Sequence, residues 1–190
     1  TKVQSHRGCG RLPSMKDFKG RVAVITGAAS GIGRALAERC AREGMKVVLA
    51  DVERGALAEL ETKLQGGGGS ALAVRADVSQ AKDVETLAKK TIEAYGAVHL
   101  LCNNAGVATN GTVWESSLTD WEWVLGVNLW GVIHGVRTFV PIMLDQRDEC
   151  HIVNTASIAG LIAGPGLGVY KVTKHAVVTL SETLLYDLAM

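Results

Sequence analysis

Hydrophobic positions change their spacing repeatedly between residue 21 and the end of the chain. Short apolar runs bounded by turn residues predict buried strands, and longer segments with apolar residues every three or four positions predict amphipathic helices. The predicted strands are Val22–Thr26, Val47–Ala50, Ala71–Arg75, Leu100–Asn103 and Ile152–Thr155. The predicted helices are Ile32–Glu43, Glu53–Leu64, Ala81–Tyr95, a long one from about Thr119 to Leu144, and a last one from near Gly168. This alternation predicts an α/β fold built on a parallel sheet.

A glycine-rich turn follows the first predicted strand. The segment Thr26–Gly33 reads TGAASGIG and leads into the first predicted helix. Gly27 allows a sharp turn, Gly31 removes a Cβ that would block a pyrophosphate, and Gly33 lets the helix pack against the strand. The helix N-terminus then offers free N–H groups to the phosphates. Strand, turn and helix together predict a dinucleotide cradle, and the G-x-x-x-x-G-K-[S/T] order of a Walker-type loop is absent.

The end of the second predicted strand bears on the choice of dinucleotide. Asp51 stands there, where a carboxylate accepts hydrogen bonds from the adenosine ribose hydroxyls and repels a 2′-phosphate. An NADP site would favour a basic residue at Ser30 or Val52, and neither is basic. Arg54 is the nearest cation and is predicted to be a solvated helix residue. The sequence therefore predicts NAD.

The last predicted helix carries a candidate acid–base group. Tyr170 and Lys174 are four residues apart, so a helix places the phenol and the ammonium on one face. A neighbouring cation favours the phenolate, which could then exchange protons with a substrate. The pair alone is weak evidence, because this spacing also arises by chance. Its position after the glycine turn and a buried strand gives it weight.

Several motifs follow one another along the chain in a fixed order: TGAASGIG at Thr26–Gly33, Asp77-Val78 after the third predicted strand, NNAG at Asn103–Gly106, then Asn128, Ser157, and Y-x-x-x-K at Tyr170–Lys174. In these motifs, from about Lys16 onward, the chain resembles the short-chain dehydrogenase/reductase family. The glycine spacing is similar to that of the compact single-domain branch; the larger epimerase-like branch would need Gly at Ser30. The resemblance implies a Rossmann-like, doubly wound parallel sheet flanked by helices on both faces.

The resemblance also implies a set of cofactor contacts. It suggests that Asp77 and Val78 hold the adenine, while Asn104 to Gly106 line the cofactor cleft. There are alternatives: Asp77 could cap the helix after Ser79, and Asn103 could stabilise a bend. The full set expected to bind NAD is Gly27, Ser30, Gly31, Ile32, Gly33, Asp51, Asp77, Val78, Asn104, Ala105, Gly106, Tyr170 and Lys174.

The expected catalytic residues are Asn128, Ser157, Tyr170 and Lys174. Tyr170 would remove the hydroxyl proton of a secondary alcohol while the hydride passes to the nicotinamide, or return a proton in the reverse reaction. Ser157 would hydrogen-bond the substrate oxygen. Lys174 would favour the phenolate and hold the nicotinamide ribose. By resemblance, Asn128 anchors a water that relays protons through Lys174, and pairing inside the core is its alternative role.

Two segments are expected to border the substrate pocket. Val107–Trp114 and Ile158–Leu167 contribute apolar side chains and no cation. They favour a small or apolar secondary alcohol or ketone over a phosphorylated or carboxylate substrate. The tryptophans at 114, 121, 123 and 130 are interpreted as packing residues. The alternative to an enzyme is a non-catalytic dinucleotide sensor or scaffold, or an inactive fragment, although a binding module needs neither Tyr170 nor Lys174.

Composition excludes several other classes. The 190-residue chain has 20 Lys and Arg against 19 Asp and Glu, which predicts no nucleic-acid partner and no anionic membrane surface as partner. No uninterrupted apolar run reaches the ~18 residues of a membrane span. The histidines and cysteines lack metal-ligand spacing, so no metal is expected. His99 and Cys150, which depart from the family pattern, are interpreted as structural. We expect a cytoplasmic protein with reduced thiols.

Both ends of the sequence depart from the pattern. Residues 1–14 show no hydrophobic period and are expected to be a disordered or non-native leader before a domain at 15–190; a basic targeting leader is the alternative. The chain stops at Met190, whereas the resembling family continues through further strands and a substrate lid. We therefore expect a truncated domain, with the sheet incomplete at its C-terminal edge. The family also implies a homodimer or homotetramer through the last helix.

Overall fold

The computed structural model describes residue 15 and residues 17–190, so the leader predicted at residues 1–14 lies outside the described residues. Five strands of these described residues form one parallel sheet: β1 is Val22–Thr26, β2 is Lys46–Asp51, β3 is Ser70–Arg75, β4 is Leu100–Asn103 and β5 is His151–Asn154. Their spatial order is β3-β2-β1-β4-β5, and every neighbouring pair is parallel. The predicted parallel α/β sheet is confirmed.

Within the part of the chain that the structure describes, six α-helices connect and follow the strands: α1 is Gly31–Arg42, α2 is Arg54–Gly66, α3 is Ala81–Tyr95, α4 is Leu118–Leu125, α5 is Gly131–Asp145 and α6 is Gly168–Ala189. A π-helical turn at Gly126–Trp130 joins α4 to α5, so the long helix predicted there is continuous but locally widened. A short 3₁₀ turn, Ile158–Gly160, precedes α6. The predicted element boundaries differ from the observed ones by at most two residues.

The core lies on both faces of the sheet. All five residues of β1 are buried, as expected for the central strand of a sheet covered on both sides. Val22 and Val24 face one cluster, to which α3 and α5 contribute residues such as Leu87 and Phe139. Ala23 and Ile25 face the other, with Leu57 of α2 and residues of α1. The alternation of side chains along β1 thus supports a doubly wound arrangement.

The strand order places a crevice at the carboxyl end of the sheet. β1 pairs with β2 on one side and with β4 on the other, so the chain reverses its direction of winding between β1 and β4. In open parallel sheets, ligands bind beyond the strand ends at such a reversal. The glycine turn after β1 and the NNAG segment after β4 therefore meet at the same crevice.

The opposite end of the sheet is held by His99. Its Nδ1 accepts a hydrogen bond from the Val22 N–H at 3.0 Å, and its Nε2 lies 3.2 Å from Oδ2 of Asp148. Arg21 donates to Asp148 Oδ1 and to the Glu149 carbonyl. Because these contacts join the starts of β1 and β4 to the segment before β5, the structural interpretation of His99 is supported.

One helical segment among the described residues, Leu118–Asp145, is long and apolar enough to cross a membrane by length and composition alone. Core helices of globular domains meet the same two criteria. Here Phe139 and Met143 of this segment are buried against the sheet, within the same core cluster as Val24 and Leu101. The face of the segment that carries Phe139 and Met143 therefore packs in the core, whereas Leu118 and Leu144 are exposed.

Candidate active site

A cleft of about 1100 Å³ opens at the carboxyl ends of the strands. Every residue predicted to bind the cofactor lies in its wall, from the glycine turn through Asp51, Asp77 and the NNAG segment to Tyr170 and Lys174. These residues are spread over most of the described chain, and the sheet topology brings them together. The cleft is large enough for a dinucleotide together with a small substrate.

The glycine turn adopts the conformation that its sequence requires. Gly27 and Gly31 have φ values of 66° and 52°, a left-handed region that residues with a Cβ rarely adopt. A Cβ on Gly33 would collide with the carbonyl oxygen of Gly27, so only glycine allows α1 to start this close to β1. Ser30 precedes α1 with no side-chain cap, which leaves the first N–H groups of the helix directed at the cleft.

The Asp51 carboxylate is fixed at the end of β2 by backbone donors. Its Oδ2 accepts from the Ala29 N–H at 3.0 Å, and its Oδ1 accepts from the Glu53 N–H at 3.2 Å. Each carboxylate oxygen can accept a second hydrogen bond. The carboxylate is therefore oriented at the cleft wall with acceptor capacity remaining, as a ribose diol requires.

Thr26, which sequence reasoning did not single out, ties the ends of two strands together. Its Oγ1 donates to the Cys102 carbonyl and accepts from the N–H groups of Asn104 and Ala105, at 2.9 and 3.1 Å. Asn104 in turn donates to the Thr26 carbonyl and accepts from the Thr155 hydroxyl. The NNAG segment is thus held in register with the glycine turn. The sequence feature that could have indicated this role is a threonine, a polar residue, at the last position of a buried strand.

Asp77 stabilises the turn that leads into α3. Its Oδ1 accepts from the backbone N–H and the hydroxyl of Ser79, at 3.0 and 2.7 Å. The N-cap residue of α3 is Gln80, so Asp77 does not cap the helix directly. Val78 lies beside it in the cleft wall. The pair therefore presents one polar and one apolar side chain at the end of β3.

Asn128 lies in the π turn and is buried. Its Nδ2 donates to the Val107 carbonyl at 2.8 Å and to Thr173 Oγ1 at 3.2 Å, while its Oδ1 accepts from the Val107 N–H at 2.8 Å. The side chain is thus paired within the protein, as the structural alternative proposed, and it lies behind the cleft wall. Thr173 also donates to the Tyr170 carbonyl, so Asn128 connects the π turn to α6.

Tyr170 and Lys174 share one face of α6, as predicted. The Lys174 Nζ lies 5.5 Å from the centre of the Tyr170 ring and donates to the Thr155 carbonyl at 2.7 Å. Lys174 is only 4% exposed. This burial lowers the pKa of the Lys174 ammonium below its ordinary value. The site therefore contains a phenol beside a buried cation in the wall of the cleft.

Ser157 begins the 3₁₀ turn that follows β5. Its Oγ accepts from the Ala159 N–H at 3.1 Å, and the residue is half-buried. Neither Ser157 nor Asn128 is among the residues lining the cleft, in contrast to Tyr170 and Lys174. Because the Ser157 oxygen is the acceptor in this contact, its hydroxyl proton remains free to point elsewhere.

The expected apolar border of the pocket is only partly observed. Val107 and Leu167 line the cleft, together with Trp123 and Val127, which sequence reasoning had not placed there. Trp114, Ile158, Leu161 and Ile162 are exposed and lie outside the lining. The interpretation of the tryptophans as packing residues is wrong for Trp114, which is 78% exposed on the segment between β4 and α4, and for Trp123, which is 50% exposed and lines the cleft; Trp130 is also 50% exposed. Sequence alone does not reveal which face of that irregular segment is covered.

Comparison with known proteins agrees with this geometry. A family model described as short chain dehydrogenase matches residues 21–190. A "CLA biosynthesis dehydrogenase/reductase" of Lactiplantibacillus plantarum is 40% identical over 92% of this chain and 61% of its own length. A "Diacetyl reductase [(S)-acetoin forming]" of Staphylococcus epidermidis is 32% identical over 89% of this chain and 66% of its own length.

Solved structures give the same result. A short-chain dehydrogenase/reductase from Burkholderia phymatum, crystallised in complex with NAD, is 57% identical with a TM-score of 0.90; the match covers 91% of this chain and 62% of that one. A putative short-chain dehydrogenase from Novosphingobium aromaticivorans is 40% identical with a TM-score of 0.89; the match covers 92% of this chain and 66% of that one. The chain spans about 61–63% of the length of the first curated relatives it matches. By family model, sequence identity and fold, this chain belongs to the short-chain dehydrogenase family of oxidoreductases.

Proposed function

We propose that this protein transfers a hydride between NAD(H) and an apolar secondary alcohol or ketone, with Tyr170 as the general acid–base. The observation that carries the proposal is the placement of Tyr170 beside the buried Lys174 ammonium, in the same cleft as the glycine turn. A dinucleotide held at the turn and a substrate held at Tyr170 would then occupy one continuous space.

The residues present fit NAD. The left-handed turn at Gly27 and Gly31 leaves room for a pyrophosphate at the start of α1, and the oriented Asp51 carboxylate suits two ribose hydroxyls. Asp77, Val78, Asn104, Ala105 and Gly106 would complete the binding surface. The NAD-bound Burkholderia phymatum relative supports the same cofactor. When bound, NAD supplies the hydride acceptor for alcohol oxidation.

The protein's own residues would manage the proton. In oxidation, the Tyr170 oxygen takes the proton of the substrate hydroxyl as the carbon–hydrogen bond yields its hydride; in reduction, the same oxygen returns a proton. Lys174 would hold the nicotinamide ribose and keep its ammonium 5.5 Å from the centre of the Tyr170 ring. Ser157 would donate its hydroxyl proton to the substrate oxygen, where negative charge develops. Asn128 supports this arrangement through Thr173, which holds the first turn of α6.

The apolar substrate is supported by Val107 and Leu167, which line the same cleft as Tyr170. The cytoplasm is the proposed location, supported by the free thiols of the buried residues Cys40 and Cys102, which suit a reducing compartment. We also propose a homodimer or homotetramer through α6, supported by the exposed side chains of Leu185, Tyr186 and Leu188. Residues 15–190 would form the dinucleotide-binding and catalytic domain.

The test compares Tyr170→Phe with Tyr95→Phe. Tyr95 ends α3, its hydroxyl contacts Ser70, and it does not line the cleft, so it serves as a matched control. Tyr170→Phe should lower kcat for a secondary alcohol by about 10²–10⁴ and leave NADH affinity nearly intact. Tyr95→Phe should change neither kcat nor NADH affinity. Retention of more than about a tenth of the turnover by Tyr170→Phe would contradict the assigned base. NADH binding without turnover of any alcohol by the unsubstituted protein would instead favour the sensor or scaffold function.

A further inference from the structure

The side chain of Lys171 encloses a turn of the backbone. Its Nζ donates to the carbonyl oxygens of three consecutive residues, Gly164 at 2.7 Å, Pro165 at 3.0 Å and Gly166 at 2.8 Å. A lysine ammonium has three donors, so this turn can use all of them. The turn lies between the 3₁₀ turn and α6, directly before the residues that enter the cleft.

The position of Lys171 in α6 makes this contact informative. Lys171 lies in the first turn of the helix, where its backbone N–H donates to the carbonyl of Leu167. The helix dipole disfavours a cation at this end by a few tenths of a kcal/mol to about 1 kcal/mol. The three carbonyl dipoles of the turn offset this unfavourable interaction. The position of a lysine at the start of α6 is therefore explained by its contacts with the turn.

The turn ends at a residue with an unfavourable backbone conformation. Leu167 has φ 54° and ψ 34°, and Arg147 is the only other non-glycine residue with positive φ among those that the structure describes. A leucine adopts this left-handed region only when its surroundings hold it there. Lys171 does so from both sides, since its side chain holds residues 164–166 and its backbone N–H holds the Leu167 carbonyl.

Leu167 is also the apolar residue of this loop that reaches the cleft. It lines the cleft with Tyr170, whereas Ile158, Leu161 and Ile162 of the same loop are exposed outside it. The next residue, Gly168, approaches Val113 so closely that a Cβ there would collide with the valine side chain. Leu167 therefore lies between the turn that Lys171 holds and a glycine packed against Val113.

We infer that Lys171 is a positioning residue for substrate selection: it clamps the Gly164–Gly166 turn so that Leu167 forms an apolar wall beside Tyr170. The inference rests on the proposed function and makes its substrate class more specific. The wall favours a secondary alcohol or ketone that carries an extended apolar group on one side of the reacting carbon. A small alcohol gains little from such a wall, because it has little apolar surface to bury against it.

The kinetic test uses 2-octanol and 2-propanol as probes, with Lys171→Gln as the variant and the exposed Lys90→Gln as the control. Lys171→Gln should raise KM for 2-octanol about tenfold more than KM for 2-propanol, with kcat nearly unchanged. Lys171→Arg should restore part of the preference, because its planar fork retains the charge but meets fewer of the three carbonyls. An equal change in KM for both alcohols would overturn the role in selection.

A second measurement does not depend on turnover. Amide hydrogen exchange at residues 166–171, with NADH present, should be at least about tenfold faster in Lys171→Gln than in the unsubstituted chain or Lys90→Gln, because the backbone N–H of residue 171 donates to the Leu167 carbonyl that follows the clamped turn. Unchanged exchange there overturns the clamp. Failure of the unsubstituted chain to bind NADH or to oxidise either alcohol contradicts the proposed function instead. The two failures are therefore distinguishable.

Discussion

Asn128 and Val107 make two reciprocal hydrogen bonds, one donated by the Asn128 amide and one accepted by it, and both are 2.8 Å long. They fasten the segment after β4 to the π turn in the long helix. Because Val107 lines the cleft and Asn128 lies behind it, one buried side chain fixes the position of part of the cleft wall. Backbone groups of an irregular segment are thereby satisfied where no neighbouring strand is available.

Replacing Asn128 should therefore destabilise the fold as well as the site. Asn128→Ala leaves the N–H and the carbonyl of Val107 without their partner, so we expect the free energy of unfolding to fall by about 2–4 kcal/mol. Asn110→Ala is the matched control, since Asn110 is exposed on the same segment, and it should change stability by less than about 0.5 kcal/mol. Urea unfolding measures both. Equal stabilities for the two variants would mean that these hydrogen bonds contribute nothing.

Asp51 should set the cofactor preference. Its oriented carboxylate can accept charge-assisted hydrogen bonds from a ribose diol and repels a 2′-phosphate, so NADH should bind at least about tenfold more tightly than NADPH. Asp51→Ser should reduce the preference for NADH over NADPH. Asp187→Ser, at an exposed position of α6, should leave that preference unchanged. Titration by nucleotide fluorescence gives both affinities. Equal or tighter binding of NADPH by the unsubstituted protein would contradict the NAD assignment.

Lys174 should give the stability a specific alkaline pH dependence. Burial lowers the pKa of Lys174 in the folded chain below the 10.5 of the exposed group. Between these two values the unfolded chain binds a proton that the folded chain does not, so the free energy of unfolding rises with pH across this interval. Below the interval both states are protonated, and the burial of the charge remains a constant cost.

Lys174→Met removes this titration. The difference in the free energy of unfolding between the unsubstituted chain and Lys174→Met should therefore shift in favour of the unsubstituted chain as pH rises towards 10.5. Lys90→Met, which replaces an exposed lysine of α3, is the control for the loss of a lysine side chain as such. Urea unfolding at several alkaline pH values measures all three. If Lys174→Met followed a curve parallel to that of the unsubstituted chain, the Lys174 pKa would not be lowered by folding.

The sequence predicted those parts of the structure that depend on local pattern. Buried strands such as Val22–Thr26 are short and almost continuously apolar, and the glycine turn follows the first of them directly. The residues of the cleft wall were found for the same reason, since Asp51 and Asn104 come directly after strands whose carboxyl ends meet at one edge of the sheet. Because all the strands are parallel, residues that follow different strands lie next to each other at one edge of the sheet.

The remaining features depend on contacts between distant segments. The π turn at Gly126–Trp130 adds one residue to a helical turn, and the hydrophobic period of the segment barely changes. The roles of Thr26 and Thr173 appear only when the backbone groups they bind are in place. The left-handed conformation of Leu167 could not be predicted from its residue type, because leucine normally avoids that conformation. Irregular segments between elements are thus where sequence reasoning was incomplete.

The central place of β1 in the sheet also constrains how the chain can fold. Its pairing with β2 joins Val22 to Lys46, which are close in sequence, whereas its pairing with β4 joins Ala23 to Leu100. Closing the longer loop carries the larger entropic cost, so the half made of β1, β2 and β3 should assemble first. Until β4 arrives, one edge of the most apolar strand has no partner. During synthesis on the ribosome, this open edge is the point at which chaperone binding or misassembly would begin.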